Sequence, residues 1–171
     1  TERKKAKTVT LGLIYGMGAE LMAKKLSIDR SEAKMILEAF FAEFRQVQVW
    51  MKNVKDQART NGFVTTLTGR RRIIANMKSP NHEARAYAER QAVNSIIQGT
   101  ASDLIKVAML EFELCLHHSS ASQIINKQDV DMLMQVHDEL IFEVDERIDL
   151  IEFTNLLQHS MSTIVCRRLF I

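Results

Sequence analysis

Within the stretch RKKAKTVTLGLIYG, four residues share a four-residue spacing: Arg3, Lys7, Leu11 and Tyr15. On a helix such a stripe drifts only slowly round the axis, so one ligand can meet all four side chains. Two cations a turn apart suit a polyphosphate, Arg through its planar fork of donors and Lys as a point charge. Leu11 and Tyr15, further along, offer a surface for a sugar and a flat base. The stripe therefore fits a nucleoside triphosphate lying along the helix, phosphates toward Arg3 and base toward Tyr15. On spacing alone it fits equally a solvated basic helix start with an ordinary apolar face.

A second stripe lies in AERQAVNSIIQGTASD, where Arg90, Asn94 and Gln98 fall four apart among Ala88, Ala92, Val93, Ile96 and Ile97. Amides and a guanidinium can donate to the acceptors that every base pair shows in the minor groove, checking duplex shape without reading sequence. A buried polar network between helices would carry the same residues. A third feature is QVHDELIFEV, read as two strand-like runs around a three-residue tip, His137-Asp138-Glu139. Hard carboxylate oxygens on a tight turn suit Mg²⁺, and two such ions would hold the attacking and leaving oxygens of a phosphoryl transfer. Adjacent carboxylates cannot both swing inward easily, so Asp138 is the expected ligand and Glu139 peripheral. An acidic turn serving only solubility is the plainer reading of this segment.

The elements that would position these groups follow from periodicity and punctuation. A helix is predicted over 3–15, stopped by Gly16 and Gly18, and a second over 19–26. From Asp29 or Ser31 an amphipathic helix carries Ala33, Ile36, Leu37, Phe40, Phe41 and Phe44 as a core stripe. It runs into another helix through Trp50, Met51 and Val54, ending near Asn61-Gly62. GFVTTLTGRRR reads as a small hairpin and 76–81 as a loop. A helix from His82 or Glu83 to Gln98 is expected to break at Gly99. Thr100 and Asp103 have the spacing of a capping box for a new helix over 101–116. HHSSASQIINKQ is a polar connection before the strands DMLMQV and LIFEV, and a last helix is expected over 147–165. The fold class is α+β, mostly helical, with a β-hairpin placed late.

Composition sets the outer bounds. The 171 residues are 46% hydrophobic and 26% charged with one Pro and six Gly, enough for a core and unlike a disordered chain. Net charge is only +2, but residues 1–128 hold 20 Lys and Arg against 12 Asp and Glu, and residues 129–171 hold 3 against 9. A basic body favours a polyanionic partner and an acidic end is compatible with a metal. Cys115 and Cys166 lack ligand or CxxC spacing and read as buried free thiols. No signal peptide is visible and no apolar run approaches the roughly 20 residues that span a membrane. The expectation is a soluble, intracellular chain with no membrane partner.

In combination the segments are far more specific than any one of them. RKKAKTVTLGLIYGMG resembles motif B of the family A DNA polymerases, R-x-x-x-K-x-x-x-F/Y-G-x-x-Y-G. TLTGRRR is similar to their template-side TL-x-GRR element, AERQAVNSIIQGTASDLIKVAML to the helix pair that follows the fingers, and QVHDELIFEV to motif C. The resemblance runs from about residue 3 to about 165 in the family's order, with details such as YGMGAE closest to the eukaryotic theta and nu branch. It implies the fingers (1–80, motif B helix at 3–15) and part of the palm (81–171, motif C at 135–144) of a right-hand polymerase.

Residue by residue, the resemblance implies that Arg3 and Lys7 bind the incoming deoxynucleoside triphosphate, with Lys7 also giving a proton to the pyrophosphate leaving group. Leu11 occupies the sugar-contacting position, and Tyr15 stacks near the templating base. Arg72, with Arg71 nearby, holds the template backbone. Arg90, Asn94 and Gln98 contact the primer–template minor groove, His137 meets the primer end, and Asp138 binds catalytic Mg²⁺. The implied activity is template-directed DNA synthesis in repair or lesion bypass, with primer–template DNA and the remainder of the polymerase as partners; the theta-like details imply the nucleus, with an organelle or a bacterial cytoplasm as the alternatives.

The chain departs from the pattern in three places. Leu11 stands where the family has Phe or Tyr, and Ala75 where a Pro follows the GRR element. Motif A, whose Asp bridges both metals, is missing, as are the thumb and the family's final segment. With Thr1 first, the expectation is a piece of a polymerase, inactive alone. The alternative is a non-catalytic nucleic-acid-binding module that retains the scaffold.

Overall fold

The computed structural model describes residues 2–118, 125 and 127–164. The order is α1 (Glu2–Ile14), α2 (Ala19–Leu26), α3 (Arg30–Glu43), α4 (Arg45–Asn61), β1 (Phe63–Thr65), β2 (Arg71–Ile73), α5 (His82–His118), β3 (Val130–Val136), β4 (Glu139–Val144) and α6 (Leu150–His159), then a π-helical turn over Ser160–Ile164. Contacts divide the chain into two compact units, Thr1–Thr100 and Ala101–Ile171. No helix of the described residues is long and apolar enough to cross a membrane.

The first unit has two apolar clusters. Met51, Val54 and Ala58 recur along one face of α4 and meet Val64, Ile74, Met77 and the Ala88, Ala92, Val93 face of α5. Leu13, Met17, Met22 and Ala33 bring α1, α2 and α3 together, with Ile36, Leu37 and Phe40 against them. The stripe expected from Ala33 to Phe44 therefore holds except at its last member. Phe44 is 50% exposed and sits at φ −104, ψ 54, where the chain turns from α3 into α4. That turn takes its ring off the buried face.

Between β1 and β2 the hairpin is antiparallel, with Val64 opposite Arg72 and Thr65 opposite Arg71. Its turn explains the main departure from the expected helices. Gly99 does not break a helix; α5 runs unbroken from His82 to His118. A Cβ on Gly99 would lie 2.7 Å from Thr66 Cγ2, and the Gly99 carbonyl accepts from Arg70 Nη2 at 3.1 Å. Thr100 does not cap a new helix; its Oγ1 accepts from the Leu67 backbone N–H at 3.1 Å. Helical glycine costs about 1 kcal/mol relative to alanine. At Gly99 that cost is offset by close seating of the hairpin turn.

In the second unit Phe112, Leu116, Ile125, Val130 and Phe153 form the core. Phe112, Phe142 and Phe153 pack as a trio with ring centroids 5.0–5.8 Å apart. Strands β3 and β4 pair antiparallel, with an irregularity between Met132 and Met134. Helix α6 starts at Leu150, three residues after the expected 147, capped by Asp149, whose Oδ1 accepts from Ile151 N–H at 2.8 Å. Residues 145–147 are taken by a clasp, in which Arg147 donates from N, Nε and Nη2 to the Asp145 carboxylate at 2.8–2.9 Å. That bonding lowers the Asp145 carboxyl to about 2. Cys115 is a half-buried free thiol; Cys166 and the expected end of the last helix at 165 lie outside the described residues.

Candidate functional site

Helix α1 ends in a Schellman turn, in which Gly16 N–H donates to Leu13 O at 2.9 Å and Met17 N–H to Gly12 O at 2.7 Å. Gly16 takes φ +76, the left-handed conformation this turn requires, and a Cβ there would lie 2.9 Å from Arg90 Cγ. The Met17 side chain closes against Gly12. The turn thus leaves Tyr15 at the helix end and brings the stem of Arg90 against the bare backbone beside it.

Around this junction lies a cleft of about 700 Å³. Leu11 and Tyr15 from the α1 stripe, Arg72 from β2, and Arg90, Asn94 and Gln98 from α5 all line it. The two stripes read separately in the sequence, and one Arg of the hairpin, thus share one concavity. Leu11 is 42% exposed in its wall. Ser95 Oγ donates to the Gln91 carbonyl of its own helix. Asn94 Oδ1 is buried with no hydrogen-bond partner among the described residues. A buried acceptor left unpaired is costly, so this oxygen calls for a donor brought by a ligand or water.

The charge of the lining is one-sided. Lys25, Arg72 and Arg90 are cationic, and among the described residues no carboxylate lines the cleft. Among the lining residues that sequence reasoning missed, Lys25, Tyr87 and Gln91 bring a charge, a ring and an amide. Tyr87 and Gln91 share the helical face of Arg90, Asn94 and Gln98, a signal that helical spacing could have supplied. Lys25 joins only through the α1–α2 packing.

Of the residues expected on α1 and on the first hairpin, three lie outside this cleft. Arg3 and Lys7 are exposed on α1 and outside the cleft lining, whose α1 wall starts at Thr8. Arg71 points to the opposite side of β2 from Arg72, its guanidinium 4.9 Å from the Phe63 ring centroid.

The hairpin tip differs from the expected three residues. Glu139 opens β4 and pairs with Val136, which leaves His137 and Asp138 as a two-residue turn. His137 takes φ +56, and its carbonyl accepts from Gln135 Nε2 at 2.9 Å. His137, Asp138 and Glu139 are all exposed. Among the described residues no group of three or more His, Cys, Asp or Glu gathers to hold a metal ion. The carboxylate donors of Asp138 and Glu139 fit Mg²⁺ in kind, and they amount to one side of such a site.

Comparison with known proteins places this geometry. The family model for DNA polymerase family A matches residues 1–169. The chain is 40% identical over 142 residues to DNA polymerase theta of Drosophila melanogaster, covering 83% of this chain and 7% of that protein. It is also 40% identical over 144 residues to the thermostable DNA polymerase I of Thermus filiformis, covering 84% and 16%. Among solved structures it is similar to the POL domain of Pol1 from M. smegmatis, in complex with DNA primer-template and dNTP. The TM-score is 0.84 and the identity 37%, over 94% of this chain and 27% of that one. The theta and bacterial relatives are equally identical, so the likeness is to the family more than to a branch. The chain spans less than a fifth of the length of either of these two relatives.

Proposed function

Since the chain belongs to DNA polymerase family A, we propose that it carries the nucleotide- and duplex-binding face of a template-directed DNA polymerase. Residues 1–80 would be its fingers and 81–171 part of its palm. The observation that carries this reading is the cleft that gathers Leu11, Tyr15, Arg72, Arg90, Asn94 and Gln98, with Lys25 as a further cation and no carboxylate among the described lining residues. A polyanion enters such a cleft without repulsion.

In this reading Arg90, Asn94 and Gln98 reach the minor groove of primer–template DNA, where amide and guanidinium donors meet acceptors common to all base pairs. The solved polymerase domain similar to this chain was seen with DNA primer-template and dNTP, which supports the same partners here. Tyr15 stacks beside the templating base and Arg72 holds the template backbone, with Arg71 close by in sequence. Arg3 and Lys7, exposed on α1 one turn apart, take the triphosphate of the incoming deoxynucleotide. Lys7 also gives a proton to the departing pyrophosphate.

Asp138, with Glu139 peripheral, would hold Mg²⁺, and His137 would meet the primer end. The bound ions supply charge stabilisation for in-line attack of the primer 3′-hydroxyl on the α-phosphate. With no larger ligand cluster among the described residues, the 171-residue chain alone is expected not to extend a primer. One observation favours a second reading, a non-catalytic nucleic-acid-binding module: Leu11 offers no ring to the sugar and base.

A crossed pair of variants tests the assignment. Arg90→Ala should weaken duplex binding by about tenfold, as for a lost charge-assisted contact, and leave nucleotide binding nearly intact. Lys7→Ala should do the reverse, with fluorescence anisotropy reading both ligands. Equal losses of both ligands in each variant would contradict the division of roles.

A further inference from the structure

The cleft contains an aromatic ring that neither stripe requires. Tyr87 lines it and is 62% exposed, and it belongs to none of the apolar clusters. It stands one turn before Arg90 on α5, so Tyr87, Arg90, Asn94 and Gln98 run along one helical face. At about 1.5 Å per residue the ring lies roughly 16 Å along the axis from Gln98. Lys25 of α2 lines the same cleft and enters no ion pair among the described residues.

We infer that Tyr87 and Lys25 hold the first unpaired template nucleotide beyond the duplex, the base stacked on the Tyr87 ring and the phosphate drawn to the Lys25 ammonium. This rests on the polymerase reading of the cleft. Bases inside a duplex are stacked on both sides and give a ring no free face; a nucleotide just past the last pair does. In that reading the primer ends at the site of chemistry, so the strand that continues unpaired is the template. An exposed aromatic beside uncompensated cations is how proteins hold single strands without sequence preference, because every base has a π-face. The duplex-facing amides of Asn94 and Gln98 cannot do this, having no ring to offer. Tyr87 is therefore a positioning residue, setting where the template strand leaves the duplex.

The test compares affinity for a blunt duplex with affinity for the same duplex bearing a short 5′ template overhang, by anisotropy. The ratio of the two cancels losses of fold or of duplex contacts. For the unsubstituted chain the overhang should tighten binding by about fivefold or more, the scale of one base–aromatic stack. Tyr87→Ala should bring the ratio close to one and Tyr87→Phe should keep it. Lys25→Ala should lower it in part and reduce its dependence on salt. An unchanged ratio in Tyr87→Ala, with duplex still bound, would overturn this inference alone. Failure of the unsubstituted chain to bind either duplex would overturn the polymerase reading and the inference with it.

Discussion

Gly16 shows how much of the cleft depends on one missing side chain. Its φ of +76 closes the Schellman turn after α1, and a Cβ would meet Arg90 Cγ at 2.9 Å. Both effects act against substitution, since a left-handed non-glycine residue costs about 1–2 kcal/mol before any crowding. Gly16→Ala should therefore lower thermal stability by about that amount and displace Arg90, weakening duplex binding beyond the loss of stability. A variant with parental stability and affinity would show that the contact between the α1 terminus and Arg90 is unimportant. The four-residue spacing of Arg90, Asn94 and Gln98 was legible because a helix converts spacing directly into a shared face. Lys25 was not legible, because its place in the cleft is set by tertiary packing, on which local pattern is silent. The roles of Arg71 and Arg72 were also merged in the sequence. A strand separates neighbours to opposite faces, leaving Arg72 in the cleft and Arg71 over Phe63.

Elements were legible wherever local chemistry and packing agreed. Helix α4 stops at Gly62, which takes φ 79 with its N–H on Ala58 O, as the Asn-Gly signal indicates. At Gly99 a local signal is overruled by a contact distant in sequence. Gly99 carries a breaker signal, yet the seated turn of residues 66–70 keeps α5 continuous. The tip of the late hairpin is one residue shorter than expected, because pairing with Val136 draws Glu139, a poor strand former, into β4. Gly99→Ala separates the two influences by sign. Helix propensity alone predicts stabilisation by about 1 kcal/mol. The 2.7 Å approach to Thr66 Cγ2 predicts net destabilisation and a lower melting temperature. A higher melting temperature would mean that the hairpin turn does not need to sit so close.

The two units have their own cores, one built on α4 and α5 around Met51, Val54 and Val93, the other on the trio Phe112, Phe142 and Phe153. The candidate residues divide between them, with the cleft in the first unit and the Asp138 tip in the second. The charge partition of the sequence follows this only loosely, because the switch from basic to acidic near residue 128 falls inside the second unit. Charge counts showed that a polyanion was welcome; the cleft shows where cations lie without carboxylates among them. In the proposed function these parts serve one polymerase reaction. Single-nucleotide primer extension with Mg²⁺ tests it most directly, on the chain alone, on the full-length protein, and on the full-length protein with Asp138→Asn. Extension is expected from the full-length protein only, abolished by Asp138→Asn while primer–template affinity is retained. Near-normal extension by Asp138→Asn would contradict the metal role of that carboxylate. Silence of the full-length protein, with duplex still bound, would contradict the polymerase account and leave a non-catalytic DNA-binding scaffold.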